Sequence, residues 1–102
     1  MKTLNFGGTT SVLKRSKYTD DESLAIIAFD KQTQEIQLVV TVNSGMDIKE
    51  ENVAVVKDYS ENKGIMPALK EAGVVKKVIG AVQVGYSVCP VVEFDLTDIE
   101  WV

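Results

Sequence analysis

Hydrophobic and polar residues alternate with a period of two along residues 35–42. Ile36, Leu38, Val40 and Val42 point one way, and the mixed set Gln37, Val39 and Thr41 points the other. Residues 24–29 are apolar on both faces, and the polar connection 30–34 separates the two segments. The pattern predicts an antiparallel hairpin with its first arm at the centre of a sheet, around which the rest of the chain is organised.

Further β-rich segments predict more strands. They comprise residues 2–6, 10–18, 53–56, 74–84 and 88–96. In the last of these, alternation places Val92 and Phe94 inward, and Val91, Glu93 and Asp95 outward. Cys89-Pro90 is typical of an edge strand or of the beginning of a strand.

One short helix is predicted over residues 64–72. Ile65, Leu69 and Ala72 share a face, Pro67 fits the first turn, and Gly73 fits the position after the helix. We therefore expect residues 1–102 to form a single α+β domain. Its antiparallel sheet should have about five or six strands, with the short helix packed on one face.

Composition narrows the class of protein. Of 102 residues, 45% are hydrophobic and 25% charged, as in ordinary globular domains. We find no membrane span and no signal peptide, and the single Cys89 has no partner for an internal disulfide. These features predict a cytosolic protein with Cys89 buried as a small hydrophobe.

The chain contains no histidine. The absence of histidine excludes Ser-His and Cys-His nucleophilic sites and most zinc sites, and it leaves the chain without the usual general base at neutral pH. We therefore predict no catalytic residues, no cofactor and no metal, and expect the protein not to be an enzyme.

The net charge of −4 is unevenly distributed. Residues 1–17 carry four basic side chains and no acid, whereas residues 18–61 carry ten acids and three lysines, and the last ten residues carry four acids and no base. An acidic chain is poorly suited to binding the phosphates of a nucleic acid, so no direct nucleic-acid binding is expected. A protein partner with a basic, nucleic-acid-binding surface is the expectation.

Two acidic clusters lie in predicted loops. The first is Asp20, Asp21 and Glu22, and the second combines Asp47 with Glu50 and Glu51. Three interpretations remain open: solvated loop charge, a binding surface for a basic partner, or carboxylates converging on Mg²⁺ as in a nuclease.

A second acidic feature is a predicted row of carboxylates. Glu93 and Asp95 are two residues apart on one strand face, about 6.6 Å, near the spacing of successive phosphates. Asp98 and Glu100 extend the row, which then either mimics a phosphate backbone or keeps a sheet edge soluble. Trp101, in the same acidic tail, is either an interface anchor or part of a docked tail.

Several segments carry a family resemblance. They read LAIIAFD, QLVVTVNSG, VAVVKDYSENKGI, ALKEAGVV and PVVEFDL. The chain thereby resembles a family of small proteins that is classed as a domain of unknown function. Its members are found on phages, plasmids and conjugative elements of Firmicutes and related bacteria, so the resemblance implies a bacterial host cell. The size and acidity of the chain also look like those of the type II-A anti-CRISPR proteins, which inhibit the RNA-guided nuclease Cas9. The matching segments are turns and core positions, so no functional residue is carried over.

Three functions follow as hypotheses. The first is an anti-CRISPR inhibitor that binds Cas9 through an acidic surface and hinders guide-RNA loading or DNA binding. The second is a non-enzymatic accessory interaction module of a mobile element. The third is a metal-dependent nuclease acting on guide RNA. The residues predicted to bind the partner are Asp20, Asp21, Glu22, Glu93, Asp95, Asp98, Glu100 and Trp101.

Overall fold

A computed structural model describes all residues, 1–102, as nine strands and one α-helix. The strands are β1 (Thr3–Phe6), β2 (Thr9–Lys17), β3 (Leu24–Asp30), β4 (Ile36–Val39), β5 (Thr41–Val42), β6 (Val53–Val56), β7 (Val75–Val84), β8 (Ser87–Phe94) and β9 (Glu100–Trp101). The helix α1 spans Ile65–Glu71 and is preceded by a single 3₁₀ turn, Ser60–Asn62. The predicted α+β class is confirmed.

The first sheet has five strands. Its order is β1-β2-β3-β4, all antiparallel, and β9 pairs in parallel with β2. Both β1 and β9 lie on the side of β2 away from β3, because β3 already pairs along Ser11 to Lys17. The strand β3 has a neighbour on each side, which confirms the predicted central position of the hairpin's first arm.

The second arm of that hairpin serves two sheets. Its first part, β4, pairs with β3, and its second part, β5, pairs with β6 in a four-stranded sheet of order β5-β6-β8-β7. The change occurs at Val40, whose N–H donates to Ile26 O at 2.8 Å and whose carbonyl accepts from Lys57 N at 2.8 Å. The sequence predicts one sheet, whereas the strands divide between two that share this continuous arm.

The main core lies between the two sheets and the helix. Leu13 and Ile26 of the first sheet, Val56 and Phe94 of the second, and Leu69 of α1 belong to one buried cluster. Burying large aliphatic and aromatic side chains contributes about 1.5–3 kcal/mol each, so this cluster holds the three elements together.

The short helix ends as its sequence predicts. Gly73 has φ +78°, and its N–H donates to Lys70 O, while Val74 N–H donates to Leu69 O. These two bonds form a Schellman motif, in which the last carbonyls gain partners and the residues at its two ends pack together. Leu69 and Val74 are accordingly both fully buried in the main core.

Three predictions require correction, two of side-chain exposure and one of strand position. Val91 is buried, not outward, because Ile48 and Tyr59 cover a second small cluster on the far face of the four-stranded sheet. Ile36 is 61% exposed, because a bulge at Gln37 pairs Ile36 with Phe29 and so turns it to the face opposite that of Leu38. The strand β8 is not an edge: it lies between β6 and β7.

Candidate protein-binding surface

The first acidic cluster occupies the loop that joins β2 to β3. Tyr18 N–H donates to Ser23 O, and Glu22 N–H donates to Tyr18 O, each at 2.9 Å. Glu22 adopts φ +58°, which turns the chain back toward β3. These bonds hold the loop closed and leave the side chains of Asp20, Asp21 and Glu22 exposed, as predicted.

Asp21 organises the end of this loop. Its Oδ1 accepts from the Ser23 hydroxyl at 2.7 Å and from Ser23 N–H at 3.0 Å. The Ser23 hydroxyl and then its backbone N–H lower the pKa of Asp21 below the usual value. Asp21 therefore remains ionised throughout the neutral range.

A hydrogen bond joins this loop to the second acidic segment. Asn43 Nδ2 donates to Asp20 Oδ1 at 3.0 Å. The chain then continues through Ile48, which packs on the second small cluster, to Asn52, whose side chain donates to Phe94 O at 3.1 Å. The segment between β5 and β6 is thereby held at both ends and in the middle.

Carboxylates from both loops line one cavity of about 160 Å³. They are Glu22 from the first loop and Glu50 and Glu51 from the second. We define the acidic loop surface as Asp20, Asp21, Glu22, Glu50 and Glu51, all of which are exposed. Residues almost thirty positions apart in the chain thus contribute to one face.

Cations and an aromatic ring complete the cavity. Arg15, Lys17, Lys49 and Trp101 also line it. The Arg15 guanidinium lies 4.7 Å from the centroid of the Trp101 ring, and Lys17 Nζ lies 5.8 Å from it. The cations of β2 therefore lie against the aromatic face rather than forming ion pairs with the glutamates.

Trp101 belongs to a docked tail and is still accessible. It pairs with Arg15 through β9 and remains 52% exposed. The docked tail is therefore confirmed, and the aromatic ring is accessible at the rim of the cavity, where its role as an interface anchor stays a prediction.

The predicted carboxylate row does not form. Glu93 lies on β8 between two neighbours, where its Oε1 is 3.5 Å from Lys76 Nζ. Asp95 lies beyond the end of β8 and accepts from Thr97 N–H at 3.0 Å. The chain then turns at Asp98, where φ is +63°, and Glu100 joins the other sheet opposite Lys14. Glu93 and Glu100 therefore lie in different sheets, and Asp95 and Asp98 lie in the connection between them.

Few of the acids are neutralised. Only Glu61, paired with Lys57, and Glu93, paired with Lys76, are within ion-pair distance of a cation. The carboxylates of the acidic loop surface are thus free to interact with cations of another molecule.

Two structural findings concern metals and membranes. No group of three or more histidine, cysteine, aspartate or glutamate side chains is arranged to hold a metal ion. The acids proposed for a magnesium site, Asp47 among them, form no such group. The single α-helix has seven residues, and no helix is long and apolar enough to span a membrane.

Sequence reasoning missed the contribution of β2 to this face. The signal was present in the charges, since a basic strand and an acidic tail attract each other. What the sequence lacks is the parallel register that places Arg15 beside Trp101.

Comparison with protein-family models, with curated proteins and with solved structures found no match.

Proposed function

We propose that this protein is a non-enzymatic inhibitor that binds a basic, nucleic-acid-binding surface of a protein partner through its acidic loop surface. Cas9 is the first candidate for that partner, which makes the protein an anti-CRISPR inhibitor acting in the bacterial cytosol. The proposal rests on one observation: two neighbouring loops present five exposed carboxylates, three of which line one cavity, and none of the five is within ion-pair distance of a cation.

Charge complementarity supplies the mechanism. Cas9 holds its guide and heteroduplex in a positively charged channel. Carboxylates placed against such a channel occupy the lysines and arginines that otherwise bind phosphates, so guide-RNA loading or DNA binding is hindered. Trp101, at the rim of the same cavity, provides an aromatic contact of the kind that concentrates binding energy at interfaces.

The loops are suited to this role because their shape does not depend on the partner. Asp20 and Asp21 are fixed by Asn43 and Ser23, and the second loop is held by Ile48 and Asn52. A surface that is already ordered loses little conformational freedom on binding.

Charge reversal tests the proposal. Glu22 and Glu50 make no side-chain hydrogen bond and come from different loops, so Glu22→Lys with Glu50→Lys changes charge and leaves the loop contacts intact. We expect wild type to bind Cas9 and inhibit DNA cleavage, more strongly when added before the guide RNA than after it. The reversed variant should lose inhibition, and wild-type binding should weaken as salt rises, because exposed charges are screened over about 8 Å at physiological ionic strength.

A matched control separates surface from net charge. Glu35→Lys with Glu71→Lys introduces the same charge change at two exposed glutamates outside the acidic loop surface and should retain inhibition. Equal loss in both variants contradicts the assigned surface.

Asp98→Lys with Glu100→Lys tests the C-terminal acids in the same assay. If wild type neither binds nor inhibits Cas9, the accessory-module hypothesis replaces this one, and cleavage of guide RNA by the protein with Mg²⁺ would favour the nuclease.

A further inference from the structure

The strand β7 has a free edge. It is the outermost strand of the four-stranded sheet and pairs only with β8. With ten residues it is also the longest strand of the protein. An exposed edge presents unpaired backbone N–H and C=O groups to any strand that can approach it.

Only the first half of this edge is protected. Register shifts at the Val75/Lys77 and Val78/Gly80 steps bulge the strand there, and Lys76 and Lys77 add charge. Bulges and lysines are the common means by which proteins prevent edge pairing. From Gly80 to Val84 the pairing with β8 is regular, and no charged residue is present.

The surroundings of the unprotected half are apolar. Val78, Ile79 and Val88 are 46%, 46% and 69% exposed, and Tyr86 at the hairpin turn is fully exposed. No charged residue occurs between positions 78 and 92. A basic partner has nothing to attract it here, since every carboxylate lies elsewhere.

We propose that the Gly80–Val84 edge pairs with the same edge of a second copy of this chain, in an antiparallel dimer with its two-fold axis at Val82. In this register Gly80 faces Val84 of the second copy, and Ala81 faces its Gln83. Lys76 and Lys77 fall outside the paired segment, so no like charges oppose each other. Two copies with a net charge of −4 repel over most of their surface, and the uncharged hairpin is where they approach at least cost.

The register itself can be tested with exposed positions. Ala81 and Gln83 are exposed, and each faces the other across the proposed axis. Ala81→Lys with Gln83→Lys places like charges opposite each other twice, whereas Ala81→Lys with Gln83→Glu places opposite charges there. Gln32→Lys with Gln37→Lys adds the same net charge as the first variant at exposed positions away from β7.

Sedimentation over a dilution series from millimolar to nanomolar protein measures the dimer, with circular dichroism as the check on folding. We expect a dimer for wild type, dissociation at a concentration roughly tenfold higher or more for the lysine–lysine variant, and recovery in the lysine–glutamate variant. The Gln32 and Gln37 control should match wild type.

The proposal is overturned if wild type stays monomeric at the highest concentration, or if the lysine pair does not weaken the dimer. A lysine–glutamate variant as weak as the lysine–lysine variant overturns the axis at Val82. These residues are separate from the acidic loop surface, so the two proposals stand or fall independently.

Discussion

The guanidinium of Arg15 lies 4.7 Å from the centroid of the Trp101 ring, and the two residues are also paired neighbours on β2 and β9. This contact adds to the strand pairing of β9 and to the buried side chain of Ile99 in fastening the C-terminal segment to the protein. Val102 N–H adds a backbone bond to Arg15 O at 2.9 Å.

Removing the ring should loosen that segment. Trp101→Ala should reduce the free energy of unfolding by about 0.5–1 kcal/mol, the contribution of a cation–π contact at an exposed site. Hydrogen exchange at the amide of Val102 should accelerate in the same variant. Tyr86→Ala, which removes a fully exposed aromatic ring elsewhere, is the control and should change neither quantity. Unchanged exchange at Val102 would show that the Trp101 ring does not hold the tail.

The helix should depend on one buried leucine. Leu69 is fully buried in the main core, so Leu69→Ala should lower the free energy of unfolding by about 2–5 kcal/mol. Lys70→Ala, at the exposed neighbour, should cost less than about 0.5 kcal/mol. Chemical denaturation measures both. A loss below about 1 kcal/mol for the leucine variant would mean that the helix contributes little to the core.

Asp21 should make stability depend on pH in the acidic range. Its pKa is lowered in the folded state by the Ser23 hydroxyl and N–H, so the ionised form stabilises the fold. That contribution is complete above the ordinary aspartate pKa of about 3.9 and is lost as the pH falls through the lower folded value. The difference in unfolding free energy between wild type and Asp21→Asn should therefore narrow from about pH 6 to about pH 2. Glu35→Gln, which removes a carboxylate that accepts no hydrogen bond, provides the control, and its difference from wild type should stay constant over this range. A constant difference between wild type and Asp21→Asn would contradict the role given to Ser23.

Cys89 should be unreactive in the native protein. It is fully buried between Val53, Val55 and Val91, where a thiol is shielded from reagents. We expect slow labelling in buffer and rapid labelling in denaturant, followed by mass spectrometry. Val88→Cys combined with Cys89→Ala places the thiol at an exposed neighbour and should react rapidly in both conditions. Equal labelling rates for wild type in buffer and in denaturant would show that Cys89 is not buried in the core.

Local sequence patterns predicted most of the elements. The helix required only the spacing of Ile65 and Leu69, the early Pro67 and the following Gly73, all of which act within ten residues. The buried first arm of the central hairpin, Leu24–Asp30, was identified in the same way, since a run that is apolar on both faces belongs inside a sheet.

Long-range pairing was less accessible. Alternation shows that Val91 and Val92 face opposite sides of β8, but not that Ile48 and Tyr59 cover the side of Val91. The carboxylate row failed for a similar reason: a turn at Asp98 carries Glu100 to a different sheet. Charge alone indicated Asp20, Asp21 and Glu22, but the position of Glu22 beside Glu50 in one cavity depends on the fold.

Val40 restricts where the chain can change length. Its N–H and its carbonyl bind backbone groups on different sheets, so the residues before it and after it are registered against separate partners. One extra residue in the 31–35 connection is absorbed by an exposed loop. One extra residue within the arm from Ile36 to Val42 reverses the faces of either β4 or β5, because side chains alternate along a strand. Insertions and deletions are therefore absorbed by the loops at the ends of this arm, whereas within the arm the single bulge at Gln37 already turns Ile36 out to solvent.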